Sequence, residues 1–87
     1  MFPEWEGKEL KPSGSAFKEL LKCNMDLYDV LDILENGYNC QRSKRKKGTI
    51  ERCMKKGKKI HKVVVVHSPQ YYDDTEVWLI THVGVIQ

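Results

Sequence analysis

The chain has 87 residues, 15 basic and 12 acidic side chains, and a formal net charge of +3. That length makes one domain, which buries roughly 60–65% of its unfolded surface around a thin core. No apolar run approaches the ~18 residues that span a bilayer, and Met1 to Glu6 lacks the basic-then-apolar order of a secretory signal, so the expectations are no membrane association and a cytoplasmic setting.

Residues 1–14 read as a tail, because Pro3, Gly7, Pro12 and Gly14 interrupt any period. Phe2 and Trp5 stand out in it. Either they fold back as a cover over an exposed sheet face or the tail stays flexible. Ser15 is placed to cap a short helix, Ala16 to Cys23, with Phe17, Leu20 and Leu21 on one stripe. Asn24 interrupts it. Asp26 then starts a second helix, with Met25 and Val30 at the two positions of a hydrophobic staple. Leu27, Val30, Leu31 and Leu34 follow the i, i+3, i+4, i+7 pattern and Ile33 widens the face. Asn36-Gly37 is a stop signal that predicts a left-handed Gly37.

Beyond Gly37 the period changes to that of strands. Tyr38 to Arg42 is a short edge strand or a loop, and Lys44 to Gly48 a basic turn. Thr49 to Lys55 is a strand, and Gly57 supplies the positive φ of the hairpin turn after it. Lys59 to His67 carries Val63-Val64-Val65-Val66, the signature of a central strand buried on both sides. Ser68-Pro69-Gln70 breaks it, and Tyr71-Tyr72-Asp73-Asp74 reads as a solvated loop. Glu76 to Val83 is the last strand, with Val77, Leu79, Thr81 and Val83 on one face and Trp78, Ile80 and His82 on the other. Residues 15–87 are therefore expected to form an α+β domain, two N-terminal helices packed on one face of a three- to four-stranded antiparallel sheet. Its second face needs a cover, either the tail or a second copy in a homodimer.

The three cysteines, Cys23, Cys40 and Cys53, are odd in number and widely spaced. Reduced thiols are expected, with Cys23 and Cys53 as small buried hydrophobes. The alternative is zinc held by Cys40, Cys53 and one of His61, His67 or His82, without the paired spacing of structural sites. The expectation is no metal and no cofactor.

The charge is divided sharply. Gln41 to Lys62 holds eleven basic residues (Arg42, Lys44, Arg45, Lys46, Lys47, Arg52, Lys55, Lys56, Lys58, Lys59 and Lys62) against one acid, Glu51. The residues before it carry a net −4 and those after it −3. An exposed lysine-rich hairpin is often only a solvated face that blunts a sheet edge. The functional reading is contact with the phosphates of RNA or another polyanion, with little sequence reading. Eight lysines to three arginines suit electrostatic docking more than bidentate recognition of bases. His67, His82 and Glu51 are the candidates for acid–base chemistry on such a substrate, His61 and His67 lying on one face of their strand.

One stretch resembles a known family. The run Met25-Asp26-Leu27-Tyr28-Asp29-Val30-Leu31-Asp32-Ile33-Leu34-Glu35-Asn36-Gly37 is similar to the capped helix of small RelE/BrnT-like domains. Residues 56–66 and 77–84 look like that family's last two strands. The resemblance covers about residues 16–84 and implies a RelE-like fold. It implies a toxin-related domain, a metal-independent endoribonuclease acting on mRNA, and an antitoxin protein as partner. No basic residue follows Lys62, where that family often carries basic side chains. This favours the alternative, a non-catalytic module that binds nucleic acid or protein.

Overall fold

The computed structural model describes residues 2–40, 48–69 and 76–86. Its elements are β1 (Glu4–Trp5), β2 (Lys8–Pro12), α1 (Gly14–Lys22), α2 (Leu27–Asn36), β3 (Tyr38–Asn39), β4 (Thr49–Lys56), β5 (Lys59–Pro69) and β6 (Glu76–Ile86). They form one mixed six-stranded sheet in the order β1-β2-β6-β5-β4-β3, curled into a half-barrel.

This corrects the expected fold. Two strands precede the helices, the sheet has six strands, and β2 lies parallel to β6. A RelE-like arrangement of two N-terminal helices on three or four antiparallel strands is not what forms. The difference begins in the segment read as a tail. Glu6 and Gly7, at φ 51° and 79°, make the two-residue turn of a β1–β2 hairpin, a conformation that suits the twist of the strands it joins. The sheet then gains Leu10 opposite Trp78 and Pro12 opposite Ile80. Pro12 is tolerated because it ends its strand. Trp5 and Leu10 are buried in the core, and the Trp78 indole N–H donates to the Trp5 carbonyl at 3.1 Å.

Ser13 rather than Ser15 caps α1, its hydroxyl accepting the Ala16 N–H at 3.1 Å. Helix α2 starts as expected. Asp26 accepts from Asp29 N–H and Asp29 accepts from Asp26 N–H, each at 2.9 Å, closing a capping box. Val30, Ile33 and Leu34 are buried against the sheet. Gly37 ends the helix in an extended conformation, φ −81°, not a left-handed one. Its reason for being glycine is proximity. A Cβ there would stand 2.4 Å from the Ile33 carbonyl oxygen and 2.5 Å from that of Cys53, so α2 and β4 could not lie this close with any side chain.

Strand β5 is central, between β6 and β4, and Val63, Val64 and Val65 are buried. Gly57 takes its positive φ, 63°, in the β4–β5 turn. Strand β6 departs from simple alternation. Val64 faces His82 and Val65 faces Ile80, leaving Thr81 unopposed in a bulge. The extra residue changes the pattern beyond it. Val83 joins Trp78 and Ile80 in the helix-side core, and His82 turns to the other face, beside Val64. On that second face Val64 and Val77 are already buried within the single chain. Among the described residues no helix is long and apolar enough to cross a membrane.

Candidate nucleic-acid interface

Arg42, Lys44, Arg45, Lys46 and Lys47 lie outside the described residues. The other six cations differ in role. Arg52 turns toward the helices. Its Nη1 donates to the Leu34 carbonyl at 3.2 Å, its guanidinium sits 5.9 Å from the Trp5 ring, and its Nε is buried without a hydrogen-bond partner among the described residues. It ties the end of α2 to the sheet. Lys56 reaches Asp32 of α2 at 3.9 Å. Lys62 reaches Glu51 at 3.2 Å. Lys55, Lys58 and Lys59 are exposed around the β4–β5 turn and pair with no carboxylate among the described residues.

The acid–base candidates divide between faces. His67 is opposite Trp78 on the helix side, its ring 5.4 Å from that indole and its Nε2 2.8 Å from Glu76. His61 shares that face, with Nδ1 3.4 Å from the Met25 sulfur. Glu51 and His82 are on the second face. Each is the direct cross-strand neighbour of Val64, one from β4 and one from β6. Their backbones are thus two strand spacings apart, about 10 Å. The structure brings Glu51 and His82 into one row and leaves His67 out of it.

Glu51 is almost fully buried, at 6% exposure. A buried carboxylate needs a charged or hydrogen-bonding partner, and Lys62 supplies one. Beside this pair lies a pocket of about 380 Å³ lined by Tyr38, Cys40, Cys53, Ile60 and Ile86. Tyr38 at its rim is about half exposed.

A disulfide joins Cys40 to Cys53, with Cα atoms 5.4 Å apart, and Cys23 is free. The expectation of three reduced thiols is corrected, and so is the zinc alternative, because the bridge uses the two thiolates it needs. The pairing arises from register. Tyr38 lies opposite Cys53, and Cys40 follows two residues on along the same face, the diagonal position across neighbouring strands.

Sequence reasoning missed Glu19. From α1 it reaches the edge of β6 that β2 leaves open beyond Pro12. One carboxylate oxygen accepts the Val83 N–H at 3.1 Å, and the other lies 3.1 Å from His82 Nδ1. No local signal marks such a contact, since its two ends belong to opposite parts of the chain. Comparison with models of protein families, with characterised proteins and with solved structures finds no match.

Proposed function

We propose that this chain is a small RNA-binding domain that grips the phosphate backbone through the β4–β5 hairpin. One observation carries the reading. Lys55, Lys58 and Lys59 stand exposed around one turn and pair with no carboxylate among the described residues, while Lys56 between them reaches Asp32 of α2. Tyr38, half exposed on the same face as Lys55, offers a surface on which an unpaired base can stack. A half-exposed aromatic of this kind suits single-stranded RNA better than duplex DNA, and an antitoxin-type protein is a second partner to seek by co-purification.

Three phosphate contacts on a single strand correspond to a slope of about −2 in log K against log salt, or roughly a twentyfold loss between 50 and 200 mM. Arg42, Lys44, Arg45, Lys46 and Lys47 are part of the proposal by their charge and steepen that slope if they engage. Anisotropy of a labelled single-stranded RNA measures it. The triple variant Lys55→Glu, Lys58→Glu, Lys59→Glu is expected to keep its circular dichroism and lose binding at least tenfold. Unchanged affinity in that variant would show that the lysines only solubilise the hairpin. A cytoplasmic setting belongs to the same proposal, but the Cys40–Cys53 bridge pulls toward an oxidising one. Alkylation of thiols in protein taken directly from its cells decides between them.

A further inference from the structure

The pocket on the second face is assembled by register. Tyr38 on β3 and Lys62 on β5 both lie opposite Cys53, so their backbones flank it two strand spacings apart, about 10 Å. Ile60 lies opposite Ile86, and this apolar pair lines one side. The Cys40–Cys53 bridge lines another. Glu51 and Lys62 line it too, 3.2 Å apart, with side chains 5% and 24% exposed. A volume of about 380 Å³ lies at the lower end of the range that takes small ligands, roughly 300–1,000 Å³. The cavity joins an aromatic ring at its rim, apolar walls, and an ammonium beside a carboxylate. Lys55, two residues beyond Cys53 and so on the same face, is exposed and opposite Ile60. The cationic turn thus runs directly into the pocket.

We propose that this pocket seats one guanine base of a single-stranded RNA held by the β4–β5 turn. The proposal rests on the RNA-binding reading and adds a base preference to it. The order of donors and acceptors carries the choice. Lys62 offers N–H donors. The Glu51 carboxylate beside it offers only acceptors, with roughly four lone-pair sites, more than one ammonium fills. Any base can set one acceptor against Lys62 and one donor against Glu51. Guanine alone has two adjacent donors on its Watson–Crick edge. Its O6 accepts from Lys62 Nζ, while N1–H and the N2 amine donate to the two carboxylate oxygens. An unpaired base exposes that edge, and pairing in a duplex hides it. Tyr38 stacks on the face of the ring, Ile60 and Ile86 cover its apolar rim, and Lys55 meets the phosphate of the same nucleotide.

The test measures the anisotropy of labelled single-stranded RNAs that share one otherwise guanine-free sequence and differ at a central base. The guanosine strand is expected to bind on the order of 10–100-fold more tightly than the adenosine, cytidine or uridine strand, the gain from one added hydrogen bond to a charged group. Inosine lacks the N2 amine and should fall to the level of those three. 7-Deazaguanosine keeps the whole edge and should bind like guanosine. Glu51→Gln should erase the guanosine preference. Because Glu51 is buried, Tyr38→Ala is the second variant. That side chain is half exposed, so the melting temperature should hold while the guanosine strand weakens roughly 5–100-fold from lost stacking. Equal affinity for all bases overturns the pocket proposal alone, as does an inosine strand that binds like guanosine. Failure of every strand to bind overturns the docking reading and this one with it. Free GMP lacks the neighbouring phosphates that reach Lys58 and Lys59, so it should compete only weakly. GMP that binds while RNA does not would make the ligand a free nucleotide and overturn RNA as its source.

Discussion

Opening the Cys40–Cys53 bridge gives a sharp test of the register that organises the second face. The two cysteines are 13 positions apart in sequence, and closing a loop of that size restricts the unfolded chain by about 3 kcal/mol at 25 °C in the loop-entropy account. For a domain this small, 1 kcal/mol moves the melting temperature by about 4–8 °C. The variant Cys40→Ala, Cys53→Ala is therefore expected to melt on the order of 10–25 °C below the parent. Alanine avoids placing a hydroxyl at position 53, which is 5% exposed. Calorimetry of the parent with and without reductant should reproduce the gap, and the double variant should not respond to reductant. Under denaturing, non-reducing conditions iodoacetamide should modify one cysteine of the parent, Cys23. Three modified cysteines in protein kept from reductant, or melting temperatures within about 3 °C in all states, would refute the bridge.

Further expectations follow from the packing. Leu10→Ala should cost about 2–5 kcal/mol by denaturant titration, because Leu10 is fully buried; a loss under 1 kcal/mol would mean that β2 does not belong to the core. Gly37→Ala should destabilise strongly, since its methyl group meets the Ile33 and Cys53 carbonyls; a variant as stable as the parent would contradict the close approach of α2 to β4. His67→Ala should cost less than about 1 kcal/mol, as its exposed pair with Glu76 is of the weak surface kind, and should leave RNA affinity unchanged. A large fall in affinity there would place His67 in the RNA contact.

The parts of the fold legible in the sequence are those whose causes are local. The Asp26 N-cap and the i, i+3, i+4 stripe of α2 lie within one helix. The valine run marks β5 as central because burial on both sides demands it. What failed were relations between distant segments. Lys8–Pro12 looks like punctuation in isolation and becomes a strand only when β6 lies alongside it. The alternation from Trp78 to Val83 is regular as written, yet the bulge at Thr81 exists in the pairing with β5 and moves His82 to the opposite face. Arg52 sits in a basic run and reads as a solvated cation, but its contacts are with Leu34 and Trp5. Of the candidate site, Glu51 and His82 were legible as residue types. Glu19 and the disulfide needed register that no spacing reveals.

The parallel contact of β2 with β6 also constrains how the polypeptide can mature. Synthesis delivers residues 8–12 first, and their partners at 77–80 come only after both helices and β3 to β5 have been made. Until then Leu10 and Trp5 have no Trp78 to rest on, and the growing chain carries an unsatisfied apolar beginning. Contacts of such long reach slow the search for the native state. A nascent chain stalled before β6 emerges would be a ready client for chaperones.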